Sequence, residues 1–170
     1  DGTPADDPKL GLLQKVAETL PHEVKVVPYR EVDEAMRLVA EEVVARQGGG
    51  DDRQSVFLLI HGLQRFRQLR RNDDDYGFGN SDGPPAADKL FSSILREGAP
   101  LGVHVVLTCD TVASLQRSVD RAGMREFDWR AMFQLSQTDS STLIDSPAAA
   151  VAPAMPSVTT RLLSLQSISS

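Results

Sequence analysis

The sequence predicts an α/β domain whose mainly parallel sheet is flanked by helices. Three observations predict it. The continuous apolar run Ser55–Ile60 has the pattern of a strand buried on both faces, and Val103–Leu107 reads as a second buried strand. Before and between these runs, apolar residues recur at helical spacing, so strands alternate with helices. The chain has 170 residues, 41% of them hydrophobic and 25% charged, which suffices for one domain with its own core.

In chain order, Asp6, Asp7 and Pro8 signal a first helix. Asp7 can accept from first-turn amides, and Pro8 suits a first helical position that needs no donor. Leu12, Leu13, Val16, Ala17 and Leu20 then share one face, and Pro21 ends the run. Val24, Val26 and Val27 read as a short strand within Glu23–Pro28. Arg30–Gln47 is the clearest helix, its stripe running Val32, Ala35, Met36, Val39, Ala40 and Val43, with Gly48–Gly50 closing it. After Ile60, the residues Leu63, Phe66 and Leu69 fall on one side of an amphipathic helix reaching Arg71. Residues 72–87, three aspartates followed by Gly and Pro, read as a flexible acidic loop. Helices are expected over Asp88–Gly98 and Val112–Gly123, and a third strand-like run over Trp129–Leu135. Residues 151–170 turn to Ala, Pro and Ser with one charge, Arg161, and read as a low-complexity, disordered tail after a domain spanning 1–150.

Lys+Arg number 18 and Asp+Glu 24, a formal charge of −6. The excess sits early: residues 1–85 carry 16 acids and 11 bases, residues 86–170 carry 8 and 7. That balance argues against a stand-alone nucleic-acid binder. A single cysteine, Cys109, excludes an internal disulfide framework and a cysteine zinc site, and His22, His61 and His104 are too dispersed to suggest a metal centre. No apolar run approaches membrane-spanning length, so no membrane insertion of this segment is expected. A chain that begins with Asp1 suggests a piece of a longer protein.

Ligands of parallel sheets bind beyond the strand carboxyl ends, here Ile60-His61-Gly62 and Thr108-Cys109-Asp110. The run Phe57–Ile60 has the shape of a P-loop NTPase strand, which normally delivers a carboxylate to magnesium, a hard cation that prefers oxygen. A second carboxylate would polarise the attacking water. Those positions hold His61 and Gly62, either a site without its acids or a strand-end histidine bonded to a neighbouring loop. No Gly-x-x-x-x-Gly-Lys-Ser/Thr cradle occurs; Gly48–Gly50 follows a helix and lacks the lysine, and Gly77-Phe78-Gly79 lies in the acidic loop. The chain alone is therefore not expected to hydrolyse ATP. Arg65, Arg67, Arg70 and Arg71 form the one dense basic cluster, able to meet phosphate or an acidic partner, or to pair with Asp73, Asp74 and Asp75. Arg130 can reach a neighbouring subunit's nucleotide or pair with Asp128 or Asp139. Cys109 has no basic neighbour in sequence and reads as packed at a strand end.

Several of these segments, in order, resemble FtsK/SpoIIIE family motor ATPases of the HerA/FtsK P-loop type. Leu95–Thr108 is similar to the stretch leading through the family's fourth core strand, which ends in a polar sensor, and Ser55–His61 resembles its Walker B strand. Arg130–Ser136, then Asp139-Ser140-Ser141 and Leu143-Ile144-Asp145, resemble a later strand and its turn. The likeness covers about residues 1–150. It implies a RecA-like fold, incomplete because the P-loop unit lies upstream, within a homo-oligomeric ring that moves DNA or, in the secretion branch, protein. His61 then takes the place of the magnesium-linked aspartate and Gly62 that of the catalytic glutamate. Asp110 stands near the sensor, Arg130 matches the arginine before the later strand, and Ser141 replaces the family's arginine. ATP and Mg2+ are implied only together with that upstream P-loop. A cytoplasmic location is implied, with the full-length protein open to membrane tethering. The alternative is a non-catalytic α/β module for protein interaction or ring assembly.

Overall fold

The computed structural model describes residues 1–49, 54–72, 84–151 and 162–165. The fold is mixed α/β, with a four-stranded sheet of order β1-β2-β4-β3: β1 is Val56–Ile60, β2 Val103–Cys109, β3 Trp129–Ala131 and β4 Leu162–Leu165. The expectation of a mainly parallel sheet needs correction. β1 and β2 pair in parallel, but β4 pairs antiparallel with both β2 and β3. β2 and β3 consequently run the same way without touching. Their facing edges carry unpaired backbone groups, and β4 supplies the partners both ladders need. Residues 162–165 of the expected disordered tail are thus a sheet strand.

Helix α1 covers Leu12–Thr19, α2 Val32–Gln47, α3 Ala87–Glu97, α4 Val112–Ser118, α5 Arg121–Arg125 and α6 Gln137–Ile144. α2 and α3 pack on each other and on one face of the sheet. Met36 and Val43 from α2 meet Phe91, Ile94 and Leu95 from α3, and the strand residues Val103, Val105 and Leu107 complete the core. Strand side chains alternate in direction, so Val56, Leu58 and Ile60 share this core side while Phe57 and Leu59 point the other way. Phe57 and Leu59 are 44% and 65% exposed, and β1 is an edge strand. The reading of β1 as buried on both faces therefore fails on one face, where Phe57 and Leu59 are exposed.

Arg46 locks the end of α2 to the starts of both parallel strands. Its guanidinium donates to the carbonyls of Leu101, Gly102 and Gln54 at 2.9, 3.3 and 2.9 Å, and its Nε donates to Glu42 at 2.8 Å. The residue is buried despite its charge, because each of the three guanidinium nitrogens meets an acceptor.

Other boundaries shift for local reasons. α1 starts at Leu12 with Gly11 at its N-cap; Asp7 instead accepts from the Lys9 amide at 2.8 Å within a preceding turn. Val24–Val27 forms no strand. The Val112–Gly123 run breaks into α4 and α5 because Asp120 caps a new helix, accepting from the Gly123 amide at 2.7 Å. That bond, then the nearby Arg96 and Arg71, holds the Asp120 carboxyl below its ordinary range. Leu63–Arg71 is two 3₁₀ turns, Leu63–Arg65 and Arg67–Leu69, not an amphipathic α-helix. Most of the acidic loop, including Asp73–Asp75 and Gly77-Phe78-Gly79, lies outside the described residues. Among the described residues no helix is long and apolar enough to cross a membrane.

Candidate functional site

Because β1 and β2 are parallel neighbours with Ile60 beside Leu107, their carboxyl ends emerge together. His61 and Gly62 leave one strand where Thr108, Cys109 and Asp110 end the other. Gly62 turns the chain with φ 77°, in the left-handed region that a side chain disfavours. Its amide then donates to Thr108 Oγ1 at 2.9 Å, and the same oxygen lies 3.1 Å from His61 Nδ1. With the amide donating into the hydroxyl oxygen, the hydroxyl hydrogen is available to an unprotonated Nδ1, which puts the ring proton on Nε2. In the other tautomer Nδ1–H donates to the oxygen's remaining lone pair.

The N-terminal segment closes one side. The Gly2 amide donates to the His61 carbonyl at 2.9 Å, and a Cβ on Gly2 would lie 2.4 Å from that oxygen. Thr3 and Asp7 continue the wall, and Gln64 and Arg65 from the first 3₁₀ turn complete it. Tyr29 fixes that turn: its hydroxyl donates to the Arg65 carbonyl at 2.8 Å and its ring stacks on Phe66, centroids 5.2 Å apart. The enclosed space is a polar cleft of about 120 Å³. Ligand pockets for drug-sized molecules run roughly 300–1,000 Å³, so this cleft suits waters or a small polar group and is too small for a nucleotide.

The donor set at the cleft differs from the oxygen-rich one that a magnesium nucleotide needs. Positions 61 and 62 supply no carboxylate, the Gly62 amide is already given to Thr108, and the carboxylates at the cleft are Asp7 and Asp110 on separate segments. Among the described residues no group of three or more His, Cys, Asp or Glu could hold a metal ion. These residues do not by themselves fit magnesium ATP.

Cys109 is buried at the end of β2, and its thiol is pushed up to about 11, chiefly by burial and further by the adjacent Asp110 carboxylate. It is a thiol at neutral pH and a poor nucleophile. Since an ordinary thiol titrates near 9, folding is favoured by the neutral form. That contribution is complete below about pH 9 and is lost as pH rises through about 11. Native protein at pH 8 is expected to react with a disulfide reagent far more slowly than denatured protein, and thermal unfolding of Cys109→Ala is expected to lose less stability between pH 9 and 11 than the parent.

The remaining expected site residues lie elsewhere. Arg130 sits on the core side of β3 and donates to the carbonyls of Met124 and Leu143, both at 2.6 Å. A cation at the ends of two helices is a structural clamp, and it satisfies backbone acceptors there. Arg65 borders the cleft, whereas Arg67 is on open surface, Arg70 donates to the Gln64 carbonyl at 3.1 Å, and the Arg71 amide bonds the Arg117 carbonyl at 2.9 Å. His61, Gly62 and Asp110 lie at the two strand ends expected from the sequence, and the Thr108 hydroxyl, to which no role was assigned there, links His61 to the Gly62 amide. Thr108→Val leaves the Gly62 amide without its acceptor and is expected to cost about 1–3 kcal/mol in chemical denaturation, with a changed His61 ring-nitrogen shift by NMR.

No protein-family model, curated protein or solved structure matches this chain.

Proposed function

We propose that this chain is part of an FtsK/SpoIIIE-like, RecA-like ATP-binding motor domain for moving DNA or protein, in a portion that does not hydrolyse ATP alone. The observation that carries the reading is the adjacency of the β1 and β2 carboxyl ends. His61-Gly62 meets Thr108 there with Asp110 beside it, the two positions that the resemblance pairs as Walker B and sensor. β3 running in the same direction as β1 and β2 also suits a RecA-like sheet. In this reading an upstream P-loop supplies the phosphate cradle with ATP and Mg2+, the copies form a ring, and DNA or a secreted protein is the cargo. The site is cytoplasmic.

A second reading, a non-catalytic interaction or ring-assembly module, draws on the small cleft and the missing acids at positions 61 and 62.

Calorimetry of Mg-ATP binding tests both, on this chain and on a polypeptide extended upstream through a P-loop. Binding by the longer polypeptide alone is the expected result. Binding by neither favours the interaction module. In the longer polypeptide, His61→Asp is expected to raise magnesium-dependent hydrolysis, and no gain counts against the Walker B assignment. Gly62→Glu is a poorer probe, because a glutamate in the left-handed region costs roughly 1–2 kcal/mol.

A further inference from the structure

Two apolar surfaces stand exposed among the described residues. The first is α1. Its stripe of Leu12, Leu13, Val16 and Leu20, with Leu10 before it, is exposed, and the helix buries no residue. Gln14, Lys15 and Glu18 occupy the opposite side, so α1 is amphipathic with its apolar side facing water. A helix of eight residues is too short to persist in water on propensity alone and draws its stability from packing.

The second is the two ends of the sheet face opposite α2 and α3, between which His104 is buried and Val106 half-buried. Strand register aligns Leu59, Val106, Leu165 and Trp129 in one row across all four strands. The two ends of that row, Leu59 and Trp129, are 65% and 64% exposed, and Phe57 lies two residues from Leu59 on the same face. A sheet with an apolar face needs a second layer, and an amphipathic helix is one that fits.

We propose that α1 of one chain docks on this sheet face of a second copy, and that the contact is reciprocal about a two-fold axis. Each surface is of the kind the other lacks, a helix stripe against a sheet face, and a second copy presents both. The size also fits. Taking roughly 150–250 Å² for a large side chain, stripe and row leave on the order of 800 Å² uncovered per chain. Reciprocal docking then buries about 1,600 Å² in total, the area of a standard specific interface. The charged side of α1 stays in solvent, and the stripe and row contain no charged residue that docking would desolvate.

Sedimentation velocity between about 1 and 100 μM tests the proposal on the chain itself. The expected species has twice the 18.5 kDa chain mass. Val16→Asp and Leu59→Asp alter exposed positions on the two surfaces and should each weaken the dimer more than tenfold, with the circular dichroism spectrum kept. Val44→Asp, at an exposed position on α2 away from both surfaces, should leave it intact. A monomer throughout the range overturns the proposal, as does a dimer indifferent to both Val16→Asp and Leu59→Asp. The interface involves no nucleotide, so its failure leaves the functional reading untouched and the failure of that reading leaves the interface standing.

Discussion

Gly98→Ala is expected to lower the stability of the protein by about 3 kcal/mol or more. Gly98 joins α3 to β2: its amide donates to the Ile94 carbonyl at 2.9 Å, and its own carbonyl accepts from Leu101 and Val103, each at 2.9 Å. The chain is so close here that a Cβ would lie 2.5 Å from Ile94 O and 2.7 Å from Val103 O. Both obstacles are backbone, and both belong to elements fixed by the core, so no side-chain rotation relieves the contact. Overpacking commonly costs about 1–3 kcal/mol when side chains can yield. With backbone on both sides the expected cost is about 3 kcal/mol or more, a large part of the 5–15 kcal/mol that holds an ordinary domain together. A urea midpoint lowered by roughly a fifth to three fifths, at unchanged slope, is the predicted readout. A variant as stable as the parent would mean that the α3–β2 turn can open without disturbing the parallel pair.

Arg46→Met is expected to cost about 3–5 kcal/mol, because one change removes charged donors from the carbonyls of Leu101, Gly102 and Gln54 and from Glu42. Methionine keeps the apolar stem, so the loss reports the fork and not the packing. Arg46→Lys retains the charge but cannot reach three carbonyls on two strands at once, and should recover only part of the stability. Equal stability of the Lys variant and the parent would assign the effect to charge alone. Guanidinium denaturation with tryptophan fluorescence separates these outcomes, since Trp129 is the single tryptophan.

What could be read from the sequence depended on whether the cause was local. α2 and α3 were legible because their stripes meet one core, and β1 and β2 because continuous apolar runs of strand length are hard to read otherwise. The Leu63, Phe66, Leu69 spacing held a signal that was passed over. In an α-helix a repeat of three drifts by about 60° at each step, and here extended backbone at Phe66 (φ −82°, ψ 95°) divides the run into two 3₁₀ turns. The strand ends were found, but Thr108 gains its role from register, since only the pairing of Ile60 with Leu107 brings its hydroxyl to His61. The two carbonyl bonds of Arg130 were hidden for a related reason. Its parity along β3 turns it toward helix ends on the core side, and parity relative to a sheet is invisible before the sheet is known. β4 was hidden by its surroundings, an Ala, Pro and Ser sequence in which Leu162–Leu165 is the one apolar segment long enough to pair.

The position of β4 has a consequence for how the polypeptide is made. It pairs Leu162 with Cys109 and Leu165 with Trp129, contacts between residues far apart in sequence. A ribosome releases β1, α3 and β2 well before β4, and that first unit already has its parallel ladder and most of its core. β3 has no ladder until Leu162–Leu165 emerges, and one edge of β2 stays open for the same interval. Such non-local pairing is slow to form, and open edges are templates for other chains. The hazardous period of biogenesis for this protein is therefore the wait between β3 and β4, when a holdase or rapid completion of synthesis has the most to protect.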